Sequence, residues 1–310
     1  MGDKDTAGVK TQAKRGLSRN TKRNLVAYSF IAPNFIGFAI FTLIPIIFSF
    51  ALGFFKWNGN GTPKFIGLDN FTKMFGDTFF KASFVNTLMY CIGTVPLTLM
   101  AALGLAMLLN KKIKGRGLFR TIAFFPYVAS LVAVTAVWSM IFHPSKGPVN
   151  ALLHYVFNVQ NLPNWYGKDL IMFTLVLFSV WRFMGYYMII YLAGLQGISG
   201  ELYEAAKLDG AGKWNQFRYI TWPQLSATTF FVTVMLTISS FKVYDVAIML
   251  AGGSDGRLGT SSTVLVYYIY QKAFQEWDLG YSSAIAMVLF ALVLTITLVQ
   301  FKGQKKKEKE

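Results

Sequence analysis

Long apolar runs alternate with polar segments along most of this chain. Six runs reach about 20 residues or more, the length that an α-helix needs to cross about 30 Å of hydrocarbon. The pattern therefore predicts an all-α membrane protein with six transmembrane helices. We expect Pro33 and Pro45 to kink the first helix, because proline removes a backbone donor. The predicted limits are Leu25–Phe55, Ser83–Leu109, Thr121–Phe142, Leu170–Leu195, Thr229–Ala251 and Tyr281–Phe301.

The distribution of lysine and arginine predicts how these helices are oriented. With the N-terminus in the cytoplasm, the cytoplasmic segments carry 20 of the 30 basic residues and the outer segments carry 8. This bias follows the positive-inside rule and places both termini in the cytoplasm. Residues 1–24 and 303–310 are basic tails that we expect to be disordered near anionic headgroups, and residues 25–302 form the membrane domain.

Composition excludes several classes of protein. Apolar residues make up 54% of the chain and charged residues 14%, which is outside the range of soluble domains. The net charge of +16 does not indicate nucleic acid as a partner, because the basic residues occupy short segments between apolar runs. One cysteine, Cys91, and two histidines, His143 and His154, predict neither a disulfide nor a metal cluster. The sequence also contains no recognisable catalytic set.

One polar segment, Glu201–Pro223, is longer than an ordinary connection and lies in the predicted cytoplasmic loop 199–223. Ser199 is a suitable N-cap and Gly210 a natural C-terminal stop for a helix of about ten residues. A second short helix is predicted over Lys213–Tyr219. Because helices this short are marginal in water, we expect the segment to dock on another protein.

The same segment resembles the EAA loop of the permease subunits of ABC importers. Trp222 stands where that family usually has leucine. The resemblance implies that the loop inserts into a groove on a cytoplasmic ATPase and transmits its closure to the membrane helices. The matching positions, predicted to couple this chain to the ATPase, are Glu204, Ala205, Ala206, Gly210, Ile220 and Pro223.

Other phrases extend the resemblance over most of the chain. FIGLDNF at Phe65–Phe71, LAGLQGI at Leu192–Ile198 and GYSSAIA at Gly280–Ala286 resemble the carbohydrate-uptake permeases related to the maltose system. This implies a type I ABC importer permease fold in a bacterial or archaeal cell membrane. It also implies three kinds of protein partner: a second homologous permease subunit, two copies of a cytoplasmic ABC ATPase, and an extracytoplasmic solute-binding protein. ATP and Mg then belong to the ATPase, and this chain binds no cofactor.

Charged residues inside the membrane are costly and mark candidate functional sites. Arg182 lies midway along the fourth apolar run and has no evident partner in the chain. Lys242 and Asp245 lie in the fifth run, three residues apart, where they can pair on one helix face. A structural ion pair and a role in substrate binding are both open for these two residues.

Aromatic residues near these charges predict a sugar path, because sugars stack on rings and need buried donors and acceptors for their hydroxyls. The family resemblance adds contact positions, at several of which this chain differs from the maltose permeases, so we do not expect maltose as the substrate. Two cations against one acid favour an anionic substrate, such as a uronic-acid oligosaccharide or a sugar phosphate. The predicted path comprises Tyr127, Leu131, Ser179, Trp181, Arg182, Phe183, Ser239, Lys242, Tyr244 and Asp245.

An ion-driven secondary transporter is the alternative function. Such transporters often carry acidic relay residues and interrupted half-helices in the membrane. Asp245 is the single clear acid within the predicted spans, which argues against this alternative.

Overall fold

A computed structural model describes residues 19–111, 113–252 and 258–307. Helices dominate this part of the chain, in agreement with the predicted class. The parts of the predicted basic tails at 1–18 and 308–310 lie outside the described residues. The helices are α1 Arg19–Phe38, α2 Ile44–Leu52, α3 Asp69–Met74, α4 Thr78–Leu109, α5 Arg116–Val128, α6 Leu131–Ile141, α7 Pro148–Tyr155, α8 Ile171–Gln196, α9 Gly200–Leu208, α10 Lys213–Gln216, α11 Trp222–Gln224, α12 Ser226–Phe241, α13 Asp245–Ala251, α14 Leu265–Tyr270 and α15 Leu279–Lys307.

Shorter elements connect several of these helices. β1 (Phe55–Lys56) and β2 (Lys64–Phe65) form an antiparallel pair. π-helical turns cover Ala39–Leu43, Phe217–Thr221 and Gln271–Gln275.

The chain divides into two units, Met1–Ala51 and Leu52–Glu310. In the first, α1 contains Pro33 and continues through a π turn into α2. The structure shows this π turn directly before Pro45, which has no N–H to donate to the carbonyl four residues earlier. The wider turn accommodates the loss of this hydrogen bond. The helix ends at Leu52, so the predicted limit at Phe55 is wrong by three residues.

The packing of α4 against α8 forms the centre of the second unit. The buried stripe of α4 is rich in small and hydroxyl-bearing residues, which let helix backbones approach closely. A Cβ added at Gly93 of α4 would lie 3.0 Å from the side chain of Val176 on α8. In the same interface, Tyr90 donates a hydrogen bond to Ser179 Oγ at 2.7 Å. The stripe contains Ser83, Thr87, Tyr90, Cys91, Thr94, Thr98, Ala102 and Ala106.

Two of the predicted spans are broken. The third, expected as Thr121–Phe142, consists of α5 and α6, which meet at an angle of 100°. The fifth, expected as Thr229–Ala251, consists of α12 and α13, which are separated by residues 242–244. The stretch Lys213–Gln224 also meets α12 at 65°. Within the described residues, four helices are long and apolar enough to cross a membrane, or up to six if each bent pair is one span.

The last helix is longer than its predicted span of Tyr281–Phe301. At 1.5 Å per residue, the 29 residues of α15 extend roughly 44 Å. Residues 303–307, which were expected to be disordered, continue this helix. The basic C-terminal end of the chain therefore begins as a helical extension.

A carboxylate joins α4 to two later helices. Asp77 caps α4, since its Oδ1 accepts hydrogen bonds from Phe79 N at 2.9 Å and Phe80 N at 3.1 Å. Its Oδ2 accepts from Tyr268 Oη of α14 at 2.5 Å and Tyr281 Oη of α15 at 2.6 Å. Burial raises the pKa of Asp77, but the four hydrogen bonds outweigh this effect and hold that pKa below its ordinary 3.8.

We predict that Asp77→Ala destabilises the protein by about 2 kcal/mol, because it removes a helix cap and leaves two tyrosine hydroxyls without their acceptor. The thermal unfolding midpoint in detergent measures this effect. Asp169→Ala is the matched control, because Asp169 is an exposed aspartate in the turn before α8. Equal midpoints for the two variants would contradict the prediction.

The stabilisation by Asp77 should depend on pH. A carboxyl group with a lowered pKa stabilises the folded state above its unfolded-state pKa, and this contribution is lost as pH falls through the folded-state pKa. The difference in unfolding midpoint between wild type and Asp77→Asn should therefore be constant near neutrality and shrink as pH falls below about 3.8. Unfolding curves of both proteins at pH 7 and pH 3 test this, and a difference that grows with acid would refute it.

Candidate functional site

The two helix breaks meet at one cavity of about 410 Å³. It lies between the end of α5, the start of α6, the middle of α8 and the connection from α12 to α13. Eight of the ten residues predicted for the substrate path line this cavity. They are Tyr127, Leu131, Arg182, Phe183, Ser239, Lys242, Tyr244 and Asp245.

Arg182 has partners within the chain that the sequence did not reveal. Its Nη1 donates a hydrogen bond to Pro126 O at 3.0 Å and its Nη2 to Tyr127 O at 3.4 Å. In a continuous helix, these carbonyls would accept from the N–H groups of Ser130 and Leu131, but α5 has already ended there. The guanidinium therefore satisfies carbonyls that the break sets free. Its positive charge also lies at the negative end of the α5 dipole.

A close approach of two backbones places Arg182 within reach of these carbonyls. A Cβ added at Gly185 of α8 would lie 1.8 Å from Ala123 O and 2.9 Å from Phe124 Cα of α5. Any side chain at position 185 would therefore push the two helices apart. Because Gly185 follows Arg182 by one helical turn, this contact sets the distance between the guanidinium and the end of α5.

Lys242 and Asp245 lie on opposite sides of the second break. Lys242 follows the last residue of α12, whereas Asp245 is the first residue of α13. The expectation that they pair on one helix face is wrong, because the backbone leaves the helix between them. In the part of the chain that the structure describes, the ion pairs within 4.0 Å are Lys73–Asp278 and Lys272–Glu276. The Lys242 ammonium is therefore an exposed cation at the cavity.

Two predicted path residues lie elsewhere. Ser179 is fully buried and accepts the hydrogen bond from Tyr90. Trp181 packs against Trp138, with ring centroids 5.3 Å apart, and lines a separate cavity of about 640 Å³ beside α5. In this chain, both side chains contribute to helix packing.

Sequence reasoning missed part of the cavity wall. Tyr90 lines the cavity from α4, but in the sequence it is one aromatic residue inside a long apolar run. Val243 and Val246 line it as well, and apolar residues carry no chemical signal of this kind. Next to the cavity, Tyr186 of α8 packs on Tyr127 at a centroid distance of 4.4 Å and an interplanar angle of 21°.

The short helix α9 begins and ends where the sequence predicted. Ser199 Oγ accepts a hydrogen bond from Glu201 N at 3.3 Å. Gly210 has a φ of +77°, and its N donates to Lys207 O at 3.1 Å. Ala211 N donates to the carbonyl of residue 206 at 2.8 Å, which completes a Schellman motif. Local residue chemistry therefore fixes both ends of this helix.

In the part of the chain that the structure describes, α9 contributes no buried residue. Glu204 and Ala205 are exposed, and Ala206 is half-buried. Leu208 at the end of the helix is 90% exposed, and Trp214 shortly after it is 70% exposed. Large apolar side chains at this exposure are unusual next to a polar helix and favour a surface that another protein covers.

The second helical stretch extends beyond its predicted end at Tyr219. α10, the π turn and α11 continue through Ile220 and Pro223 to Gln224. Tyr203 Oη of α9 and Thr221 Oγ1 of the π turn are 2.9 Å apart and form a hydrogen bond. The exposed helix is therefore tied to the stretch that leads directly into α12.

Comparison with known proteins adds independent information. Residues 94–303 match the model of a family described as binding-protein-dependent transport system inner membrane component. A Bacillus subtilis (strain 168) protein named probable ABC transporter permease YesP is 40% identical over 283 residues, which are 91% of each chain. AraP of the same organism, named an arabinooligosaccharides transport system permease, is 34% identical over 89% of this chain and 87% of that protein.

The fold is similar to that of a solved membrane transport protein. A chain in the crystal structure of a bacterial alginate ABC transporter, in complex with an alginate pentasaccharide-bound periplasmic protein, superimposes with a TM-score of 0.79. The match covers 92% of this chain and 95% of that one at 24% sequence identity. At this sequence identity, the similarity shows the fold alone.

We predict that Gly185→Ala strongly destabilises the protein, at the upper end of the 1–3 kcal/mol that is typical of overpacking, because the clashing atoms belong to the backbone of α5. Gly104→Ala in the middle of α4 is the matched control, since a Cβ there meets nothing within 4 Å. Unfolding midpoints in detergent distinguish the two. Equal stability of Gly185→Ala and Gly104→Ala would show that α5 and α8 do not approach this closely.

Proposed function

Because this chain belongs to the family of binding-protein-dependent transport system inner membrane components, we propose that it is the membrane-spanning subunit of an ATP-driven importer of sugars or oligosaccharides. AraP, one of its relatives, is named for arabinooligosaccharides, and it aligns with nearly the whole chain. Family membership gives no support to the ion-driven alternative. The chain is a permease subunit, and ATP hydrolysis belongs to a separate subunit of the transporter.

The observation that carries this proposal is the uncovered helix α9. Glu204 and Ala205, which match the EAA loop, are exposed. The apolar side chains of Leu208 at the end of α9 and of Trp214 after it are also exposed. In the proposed assembly, α9 docks in a groove of a cytoplasmic ABC ATPase. The hydrogen bond between Tyr203 and the π turn then transmits ATPase movement toward α12.

The broken helices support a translocation path at the 410 Å³ cavity. Backbone that leaves the helical conformation at membrane depth is tolerated where it lines a cavity or is buried in protein. Both breaks meet at this cavity, and hydroxyl groups from Tyr127, Ser239 and Tyr244 are available there for a sugar. We assign the predicted path residues that line it to substrate contact.

The proposed topology has six spans, with α5–α6 and α12–α13 each contributing one broken span. Both termini, the basic tails and residues 199–223 are then cytoplasmic, and the membrane is the inner membrane of a bacterium or archaeon. The transporter contains a second homologous permease subunit, two copies of the ATPase and an extracytoplasmic solute-binding protein. ATP and Mg bind to the ATPase, and this chain carries no cofactor.

Glu204→Lys tests the docking of α9. We expect the wild-type transporter to copurify with its ATPase, and the charge reversal to reduce the recovered ATPase at least about tenfold, because it places a like or unpaired charge in the interface. Asp169→Lys is the matched control, with the same change of charge at an exposed turn far along the chain from α9. Full recovery of ATPase with Glu204→Lys would sink the docking proposal, and ion-driven uptake by the chain alone in vesicles would overturn the ATP-driven function.

A further inference from the structure

We propose that Lys242 makes the translocation path selective for sugars that carry an anionic group, a carboxylate or a phosphate. The inference rests on the proposed function and deepens it, because it names the charge class of the substrate. Four observations carry it: the position of Lys242, the partners of Arg182, the separation of Asp245, and the hydroxyl groups of the cavity.

Lys242 lies at the break between α12 and α13 and lines the cavity. Its backbone N donates to Ser239 O at 3.2 Å, which closes the last turn of α12 and holds the residue at the cavity wall. Its side chain is exposed, and within the described residues no ion pair or hydrogen bond engages the ammonium. The ammonium is therefore available to a ligand.

The second cation of the cavity is already engaged. Arg182 donates to Pro126 O and Tyr127 O, so its charge is offset by the negative end of the α5 dipole, about half an elementary charge. Asp245, the one acid that lines the cavity, is the first residue of α13 and benefits from the positive end of that helix. The cavity wall thus keeps a surplus of positive charge, and it is concentrated at Lys242.

The surplus of positive charge at Lys242 affects which substrates are favoured when the path closes around a substrate and excludes water. An unneutralised cation in a dry, apolar environment is costly. A neutral sugar leaves this cost in place. A sugar with a carboxylate or phosphate neutralises Lys242 through a charge-assisted hydrogen bond, while the hydroxyls of Tyr127, Ser239 and Tyr244 remain available for its ring hydroxyls.

An acid of the second permease subunit is the competing partner for Lys242. In that case, the ammonium is part of a structural ion pair, and its loss impairs the transport of every substrate alike. A role of Lys242 in selectivity and a role in a structural ion pair therefore predict different losses of uptake across substrates. For this reason, the test compares the variants on several sugars.

The test uses the complete transporter with its second permease subunit, ATPase and binding protein, reconstituted in proteoliposomes. Uptake is measured with a galacturonic-acid disaccharide, with the neutral galactose disaccharide of the same linkage, and with a hexose phosphate. The variants are Lys242→Met, Lys242→Arg and Asp245→Asn, and Lys81→Met is the control, an exposed lysine at the start of α4 that does not line this cavity. Ratios of variant to wild type for each sugar cancel the preference of the binding protein.

We expect Lys242→Met to lower kcat/KM at least about tenfold for the anionic sugar that the wild type carries, and less than about threefold for the neutral one, as for the loss of a charge-assisted hydrogen bond. Lys242→Arg should keep most of the uptake, Asp245→Asn should raise the preference for the anionic sugar, and Lys81→Met should change neither. Whether the uronate or the phosphate is carried decides which anionic group is recognised.

Three results overturn the inference. Wild-type uptake of neutral sugars with exclusion of both anionic sugars would remove it and leave the proposed function intact. An equal loss of all substrates in Lys242→Met would assign the lysine to the structural ion pair. Uptake of no sugar at all by the assembled transporter would remove the proposed carbohydrate function itself, and the inference with it.

Discussion

Position 185 allows no side chain, since even a Cβ atom would lie 1.8 Å from Ala123 O. This contact lets α8 approach α5 closely enough for Arg182 to reach the carbonyls at the end of α5. Without a donor, these carbonyls would be unsatisfied where the helix breaks, and a broken helix in an apolar environment would be costly. The glycine, the arginine and the break therefore depend on one another, and together they shape the side of the cavity that α5, α6 and α8 line.

One helix connects the cavity to the exposed segment around α9. α12 begins at Ser226 next to the 65° bend and ends at Phe241, directly before Lys242. The bend is anchored by Leu225, which is fully buried, and by α8, where a Cβ at Gly194 would lie 2.6 Å from Thr228 Oγ1. A movement of the stretch before the bend therefore acts on a rigid element whose far end forms the cavity wall. The proposed docking surface and the proposed path are therefore about 24 Å apart along α12, the length of 16 helical residues.

Much of the fold was predictable from the sequence because it depends on local or additive signals. Apolar runs located α4, α8 and α15 to within six residues at each end, since membrane insertion depends on summed hydropathy. Ser199 and Gly210 located both ends of α9, since capping depends on individual residues. The break after α5 was not predictable, because Ala129 and Ser130 carry no strong helix-breaking signal and the break is stabilised by Arg182, more than fifty residues later. The break between Lys242 and Asp245 likewise has no strong local signal in the sequence, which is why the two residues were expected on one helix.

The lack of buried residues in α9 has a consequence for assembly of the transporter. Nine helical residues are too few to be stable in water on their own propensity, so the folded population of α9 depends on whatever it is docked against. Amide protons of this helix should therefore exchange quickly in an orphan subunit and slowly in a complete one. If α9 docks as proposed, the segment reports assembly as well as taking part in it. The helices α4 and α8, which carry buried residues along their length, serve as the internal standard.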